Sequence, residues 1–352
     1  MKLRFIRLSL VLLALSGGAF AGAPERAPAP KPRPVALAKT GFDIVNGTSI
    51  SGQTAFIVID AETGTVLEAL QPNLPLPPAS VAKVPTALYA LAQLGPDYRF
   101  RTQLLAKGEV AGGILSGDLI LKGGGDPELD SNNLNTLIGA SGIKTVSGAL
   151  LIDPGPAIRV EQIDDTQPIT AAYNPSVAGI NLNFNRVYME WQRRSGRYDL
   201  VMEARAEGVS PPVKSVTMEI VDQTIDGEVF HRRDATDREL WQVQRRALGR
   251  RGGRWLPVRD PARYSGEVFR TLANGQGLNL PPAITISGAR GAVIAEHQGR
   301  PLIEVIRAML KYSTNLTAEA IGLAAARLEG EPLSLAASAR AMNNWSADFI
   351  GP

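Results

Sequence analysis

The sequence predicts an α/β (α+β) protein, an antiparallel sheet flanked by helices and interrupted by a mostly β insertion. Three observations predict it. A pair of strand-like runs followed by an apolar helix occupies residues 54–94, short alternating segments rich in glycine begin near Phe100, and strong helical periodicity returns only toward the end. The simplest arrangement assigns 40–98 and 266–352 to one split domain and 99–265 to the insertion. No internal repeat is evident.

Thr54 to Asp60 reads as a strand, Ala61-Glu62-Thr63-Gly64 as a hairpin turn and Thr65 to Leu70 as the return strand. Residues 71–78 then lead into a helix from about Ser80 to Leu94, stopped by Gly95-Pro96. Pro85 inside it lacks a backbone donor, so a bend just past Lys83 is expected. Beyond Phe100, a strand ending at Lys122 runs into Gly123-Gly124-Gly125-Asp126-Pro127, and Leu134 to Ile138 forms a brief helix. Ser147 to Asp153, Gly179 to Val187, Leu200 to Glu203 and Val216 to Ile220 are further strand candidates. Helices are expected at Glu267–Leu272, Leu302–Lys311, Thr317–Arg327 and Leu333–Trp345.

The first residues set a compartment. Lys2, Arg4 and Arg7 precede the apolar Leu8–Leu15, and Ala19-Phe20-Ala21 supplies small residues at cleavage spacing, so 1–21 is expected to be a signal peptide. The apolar run is far short of the roughly 20 residues a membrane span needs. Residues 22–39, mostly Ala and Pro, read as an extended linker. A periplasmic or secreted protein is the expectation. The chain has no cysteine, which rules out disulfides and thiolate metal sites.

Charge argues against nucleic acid. The first 39 residues carry +6 against a net of +3 for the whole sequence, which leaves the body near −3. One basic stretch remains: His231 to Arg263 holds ten Arg against four acids. A solvated surface is the favoured reading, and a face toward an acidic envelope polymer the alternative, since neither aromatic interleaving nor finger spacing accompanies it. Gly123-Gly124-Gly125-Asp126 lacks the Gly-Lys-Ser/Thr ending of a phosphate loop and reads as a tight turn. His231 and His297 have no metal-ligand spacing, so no metal or other cofactor is expected.

Chemistry concentrates elsewhere. Ser80 and Lys83 stand one helical turn apart, so a neutral amine can take the hydroxyl proton while the oxygen attacks a carbonyl. An N-cap serine and a snorkelling lysine are the competing explanations. Ser313 and Asn315, in Tyr312-Ser313-Thr314-Asn315 between two helices, can face one cleft, Ser313 relaying a proton and Asn315 meeting a substrate amide; capping alone would also explain them.

With Pro78-Ala79-Ser80-Val81-Ala82-Lys83, Gly117-Asp118-Leu119, Gly123 to Leu129, Tyr173-Asn174, Asn181 to Asn185 and Tyr312 to Asn315 with Ala318-Glu319, the sequence resembles the D-alanyl-D-alanine carboxypeptidases/endopeptidases of the low-molecular-mass class C penicillin-binding proteins. The resemblance implies a transpeptidase-like domain with a five-stranded antiparallel sheet, interrupted after the first motif. It makes Ser80 the nucleophile, Lys83 its base, Ser313 the proton relay and Asn315 a substrate ligand. It also implies an aspartate in the insertion that meets the peptide's amino group, for which Asp153 is the best match. Peptidoglycan stem peptides are the implied substrates and β-lactam antibiotics the implied covalent inhibitors.

The family's third motif, Lys-Thr-Gly on a sheet edge, does not follow the second. The one such tripeptide, Lys39-Thr40-Gly41, follows Pro- and Ala-rich residues and reads as accidental. Three explanations stand: a shortened product of a complete enzyme, a missing part supplied by another chain, or a catalytically impaired peptidoglycan-binding protein. The first is favoured because both other motifs persist.

Overall fold

The structure is a computed structural model that describes residues 40–155, 160–223, 230–234, 237–330 and 334–350. The expected signal peptide and linker lie outside the described residues. The chain divides into two compact units at Pro77/Pro78.

In the first unit, helix α1 (Gly41–Asn46) precedes the antiparallel hairpin of β1 (Phe56–Ile59) and β2 (Val66–Leu70). The turn forms because the Asp60 carboxylate accepts the Glu62 and Thr63 N–H groups at 3.0 and 2.8 Å. Thr40 caps α1 through a reciprocal pair with Asp43, and Glu68 accepts the Gly41 and Phe42 amides at 2.9 and 3.1 Å. Thr40-Gly41 therefore opens a helix and belongs to no strand.

The second unit begins with a 3-10 turn, Ala79–Ala82, that runs into α2 (Lys83–Leu94). The α-helix starts three residues later than expected. Pro85 consequently sits in its first turn, where backbone N–H groups lack helical partners, and the expected bend has no cause.

A mixed six-stranded sheet follows. β3 (Arg101–Ala111) and β4 (Ile114–Lys122) form a long antiparallel hairpin; β5 (Thr145–Val146) and β6 (Leu150–Asp153) pair parallel to β4. Helix α3 (Ser131–Ser141), capped by Asp130, links them. Three-stranded sheets are built from β7 (Arg186–Arg194), β8 (Arg197–Glu203) and β12 (Arg251–Pro257), and from β9 (Val216–Val221), β10 (Phe230–Asp234) and β11 (Glu239–Gln244). Helix α4 (Pro261–Gly275) then packs on the first sheet, and β13 (Ala283–Thr285) and β14 (Ala292–Gln298) complete it beside β6 and β3.

Two expectations change. The boundary at 265/266 falls inside α4, and the β-rich part runs on to Gln298 because β13 and β14 hydrogen-bond into its sheet. The expected strand Gly179–Val187 is instead a loop up to Asn185, with a short 3-10 segment at Leu182–Asn185, and only its last two residues enter β7. Asn183, Phe184 and Asn185 have φ of 52°, 58° and 49°, which no strand accommodates. Their alternation reflects buried amides: Asn183 accepts the Ser131 N–H at 3.1 Å and donates to the Ser131 and Tyr264 hydroxyls, while Asn185 donates to the Ser176 carbonyl at 2.8 Å.

Three helices close the chain: α5 (Leu302–Tyr312), α6 (Asn315–Leu328) and α7 (Leu335–Ile350). Their periodic apolar faces bury Val305, Met309, Ile321, Ala325 and Ala341 against Ala87, Tyr89 and Ala90 of α2. A separate core fills the β-rich part, with Leu104, Leu119, Leu121 and Ile152 of the main sheet against Val268, Phe269 and Leu272 of α4.

Candidate active site

The helical core brings both expected motifs together. Ser80, on the 3-10 turn, is exposed, while Lys83 at the start of α2 is 9% exposed. Ala79, just ahead of the serine, holds φ of 47°, a conformation unfavourable for an L residue with a Cβ. Across the cleft, Ser313 ends α5 in a left-handed conformation (φ 57°, ψ 38°) and only Thr314 separates it from Asn315, the first residue of α6. The sharp reversal aims the Ser313 hydroxyl at Ser80.

Four side chains form a hydrogen-bonded circuit. The Ser313 hydroxyl donates to Ser80 Oγ, Lys83 Nζ donates to Ser80 Oγ at 3.3 Å, and Lys83 Nζ donates to Asn315 Oδ1 at 2.7 Å. Asn315 Nδ2 donates to the Tyr173 carbonyl at 3.2 Å, which orients its amide and leaves Oδ1 toward the lysine. Capping does not account for this arrangement: neither the Pro78 nor the Ala82 position ahead of the two helical segments carries a side-chain cap, and Ser80 lies within the 3-10 turn.

Burial holds the Lys83 amine below the ordinary lysine range, and the Glu319 carboxylate opposes that shift in part. Burial pushes Glu319 upward, against the pull of Lys83. Glu319 stands one turn beyond Asn315 on α6, so the i, i+4 face of that helix presents both to the lysine. Sequence reasoning noted Glu319 only as part of a motif; its spacing from Asn315 was the available signal. The Tyr173 carbonyl carried none, because a backbone group leaves no mark in residue identity.

Asp153 does not join the circuit. It ends β6, is 1% exposed, and its two oxygens accept the Gly155 and Ala289 N–H groups at 2.9 and 2.8 Å. A carboxylate so engaged secures a loop crossing, and it lines a cavity with Arg101, Gln103 and Lys122 apart from the Ser80 circuit.

A serine whose neighbouring buried lysine and opposed Ser-x-Asn loop share one hydrogen-bonded cluster, on a mixed α/β scaffold with a β-rich insertion, defines the Ser-x-x-Lys class of acyl-transfer proteins. The model of the D-Ala-D-Ala carboxypeptidase 3 (S13) family matches residues 43–347, and the chain belongs to that family. It is 25% identical to a D-alanyl-D-alanine carboxypeptidase of Actinomadura sp. (strain R39), over 75% of this chain and 52% of the relative. It is 24% identical to the D-alanyl-D-alanine carboxypeptidase DacB of Haemophilus influenzae, over 69% of this chain and 52% of the relative. The chain thus spans about half the length of these curated relatives. The crystal structure of penicillin binding protein 4 from Haemophilus influenzae superimposes with a TM-score of 0.65 at 22% identity, covering 82% of this chain and 66% of that one, and shares the fold.

Proposed function

We propose that the chain carries the acylating half of a serine D-alanyl-D-alanine carboxypeptidase/endopeptidase acting on peptidoglycan stem peptides. The observation that carries the reading is the circuit joining Ser80, Lys83, Ser313 and Asn315. Neutral Lys83 takes the Ser80 proton as Oγ attacks the carbonyl carbon of the scissile peptide bond. The C–N bond then breaks, and the departing amine takes its proton from Lys83 through the Ser313 hydroxyl. Water, deprotonated by the same lysine, releases the acyl group and restores Ser80. Asn315 positions the substrate amide and, through Oδ1, the lysine. β-Lactams fit the same attack, with the strained ring amide in place of the peptide.

Labelling with a fluorescent penicillin tests this. The expected result is one covalent adduct on the wild type and none on Ser80→Ala; labelling that survives in the variant would place the nucleophile elsewhere. A second reading, peptidoglycan binding without turnover, has one observation in its favour: among the described residues the circuit contains a single cation, Lys83, and no second one to hold a terminal carboxylate. Sedimentation with sacculi in the absence of labelling would select it. Export to the periplasm or exterior through residues 1–21 belongs to the same proposal, and the N-terminal sequence of the mature protein tests it.

A further inference from the structure

The basic stretch of the sequence gains a shape in the fold. β7 and β8 are joined by the turn Ser195-Gly196, and their last paired residues are Arg194 and Arg197. β12 enters the same sheet end with Arg251 opposite Gln192. The Arg193 N–H donates to the Arg250 carbonyl at 2.7 Å, and the Tyr198 hydroxyl donates to the Leu248 carbonyl at 2.9 Å, so the 245–251 connection is fastened onto the hairpin. The Arg193 and Arg245 guanidinium carbons stand 5.8 and 6.0 Å from the centre of the Tyr198 ring, which holds them on one tip.

This one end of the sheet and its connection thus carry six exposed arginines, on strands about 4.8 Å apart and spread over both faces: Arg193, Arg194, Arg197, Arg246, Arg250 and Arg251. Their acidic company is thin. Asp199 pairs with Arg194 at 3.5 Å, and Asp222 is engaged by Arg245. Arg197, Arg250 and Arg251 have no ion-pair partner among the described residues. The tip contains no lysine, and the guanidinium fork matches tetrahedral and planar oxyanions in pairs of hydrogen bonds. Self-repulsion among cations so close favours a ligand that supplies many anions at once.

The neighbouring side chains narrow the ligand. Leu248 is buried and the Tyr198 hydroxyl is committed to the backbone, so the tip offers neither an apolar wedge for a bilayer nor an anchor for a protein partner. No exposed aromatic ring is available on either connection for stacking bases. We infer that the tip of the β7–β8–β12 sheet is a docking site for a linear polyphosphate-type polyanion, a chain of closely spaced phosphates without bases. The site is independent of the Ser80 reading.

Binding of the full chain to inorganic polyphosphate of about 100 units, followed by fluorescence at several salt concentrations, tests it. The wild type binds at low salt, and Arg197→Gln/Arg250→Gln/Arg251→Gln binds at least about tenfold more weakly, with a log–log salt slope shallower by about 2 units for three lost phosphate contacts. Thermal melting, unchanged by these exposed substitutions, shows that folding is retained. The corresponding triple lysine variant keeps the slope and loses affinity, which separates the fork from the charge. Equal affinity of wild type and glutamine variant, or no binding by the wild type, would overturn the inference. Tighter binding of the wild type to anionic phospholipid vesicles or to poly(dT) would also overturn it and assign the tip to a membrane or a nucleic acid.

Discussion

Lys83 and Asn315, 232 residues apart in sequence, meet at 2.7 Å through an amine-to-amide hydrogen bond. The contact depends on the packing of α2 against α6, whose buried faces place the first residue of each helix at the same cleft. It also means that the amine is positioned by a group with no charge of its own, so its proton affinity is left to burial and to Glu319.

Replacing the lysine by arginine separates charge from basicity. Arginine keeps a cation near Asn315 but does not deprotonate at working pH. Lys83→Arg is expected to lose about 10²- to 10⁴-fold in the rate of penicillin acylation, the range of a general base, with unchanged melting. Acylation within tenfold of wild type would remove Lys83 from that role.

The pH dependence of acylation has a defined sign. In the proposed mechanism the reactive form carries neutral Lys83, so the rate is expected to climb with pH and level off above the pKa of the amine, which burial sets below the ordinary lysine range. The Glu319 carboxylate stabilises the ammonium, and its removal favours the neutral amine. Glu319→Gln is therefore expected to move the inflection of the acylation profile to lower pH. A shift to higher pH would contradict the electrostatic coupling.

A second carboxylate reports on stability. Glu239 is 6% exposed; its Oε1 accepts the Arg259 and Asp260 N–H groups at 2.7 and 2.6 Å, yet burial pushes its pKa up to about 6. A folded-state value above that of the unfolded chain makes the native state the tighter proton binder between about pH 4.5 and 6, so this group's contribution to stability falls as pH rises through that window. The change is about 2 kcal/mol. Denaturant titrations of wild type and Glu239→Gln are expected to show it as a pH-dependent difference; a difference of opposite slope would refute it.

The buried asparagine loop is expected to be intolerant. Asn183→Ala leaves the Ser131 amide without its partner and removes one bond each from the Ser131 and Tyr264 hydroxyls, which still donate to the Ala204 and Arg186 carbonyls, while retaining a φ of 52° that alanine disfavours. About 3 kcal/mol of stability is at stake from the unpaired Ser131 amide, the two lost hydroxyl bonds and the backbone together. Equilibrium unfolding by urea measures it, and a loss below about 1 kcal/mol would show that the loop relaxes.

Much of this was legible in the sequence wherever one signal acted alone. The β1–β2 hairpin followed from two strand-like runs around Ala61-Glu62-Thr63-Gly64, and α5 and α6 from uninterrupted apolar periodicity. Ser80, Lys83, Ser313 and Asn315 were recognisable because residue type and spacing both pointed to one chemistry. The failures have a common physical origin. Asn181 to Asn185 mimic a strand because buried amides alternate with apolar residues, and sequence does not reveal that those amides satisfy Ser131 and Tyr264. Asp153 was matched through the resemblance alone, and sequence does not reveal that the nearby Gly155 amide and the distant Ala289 amide both donate to it. The continuation of the sheet to Gln298 rests on the pairing of β14 with β3, a contact no local pattern announces.

The joint between α5 and α6 consists of Ser313 and Thr314 alone. With so short a joint, left-handed at Ser313 and extended at Thr314, an added residue has to displace either the Ser313 hydroxyl or the Asn315 amide from the cleft even while every helix remains intact. A single-codon insertion at this joint is therefore expected to abolish penicillin labelling while leaving the packing of α2, α5 and α6 in place.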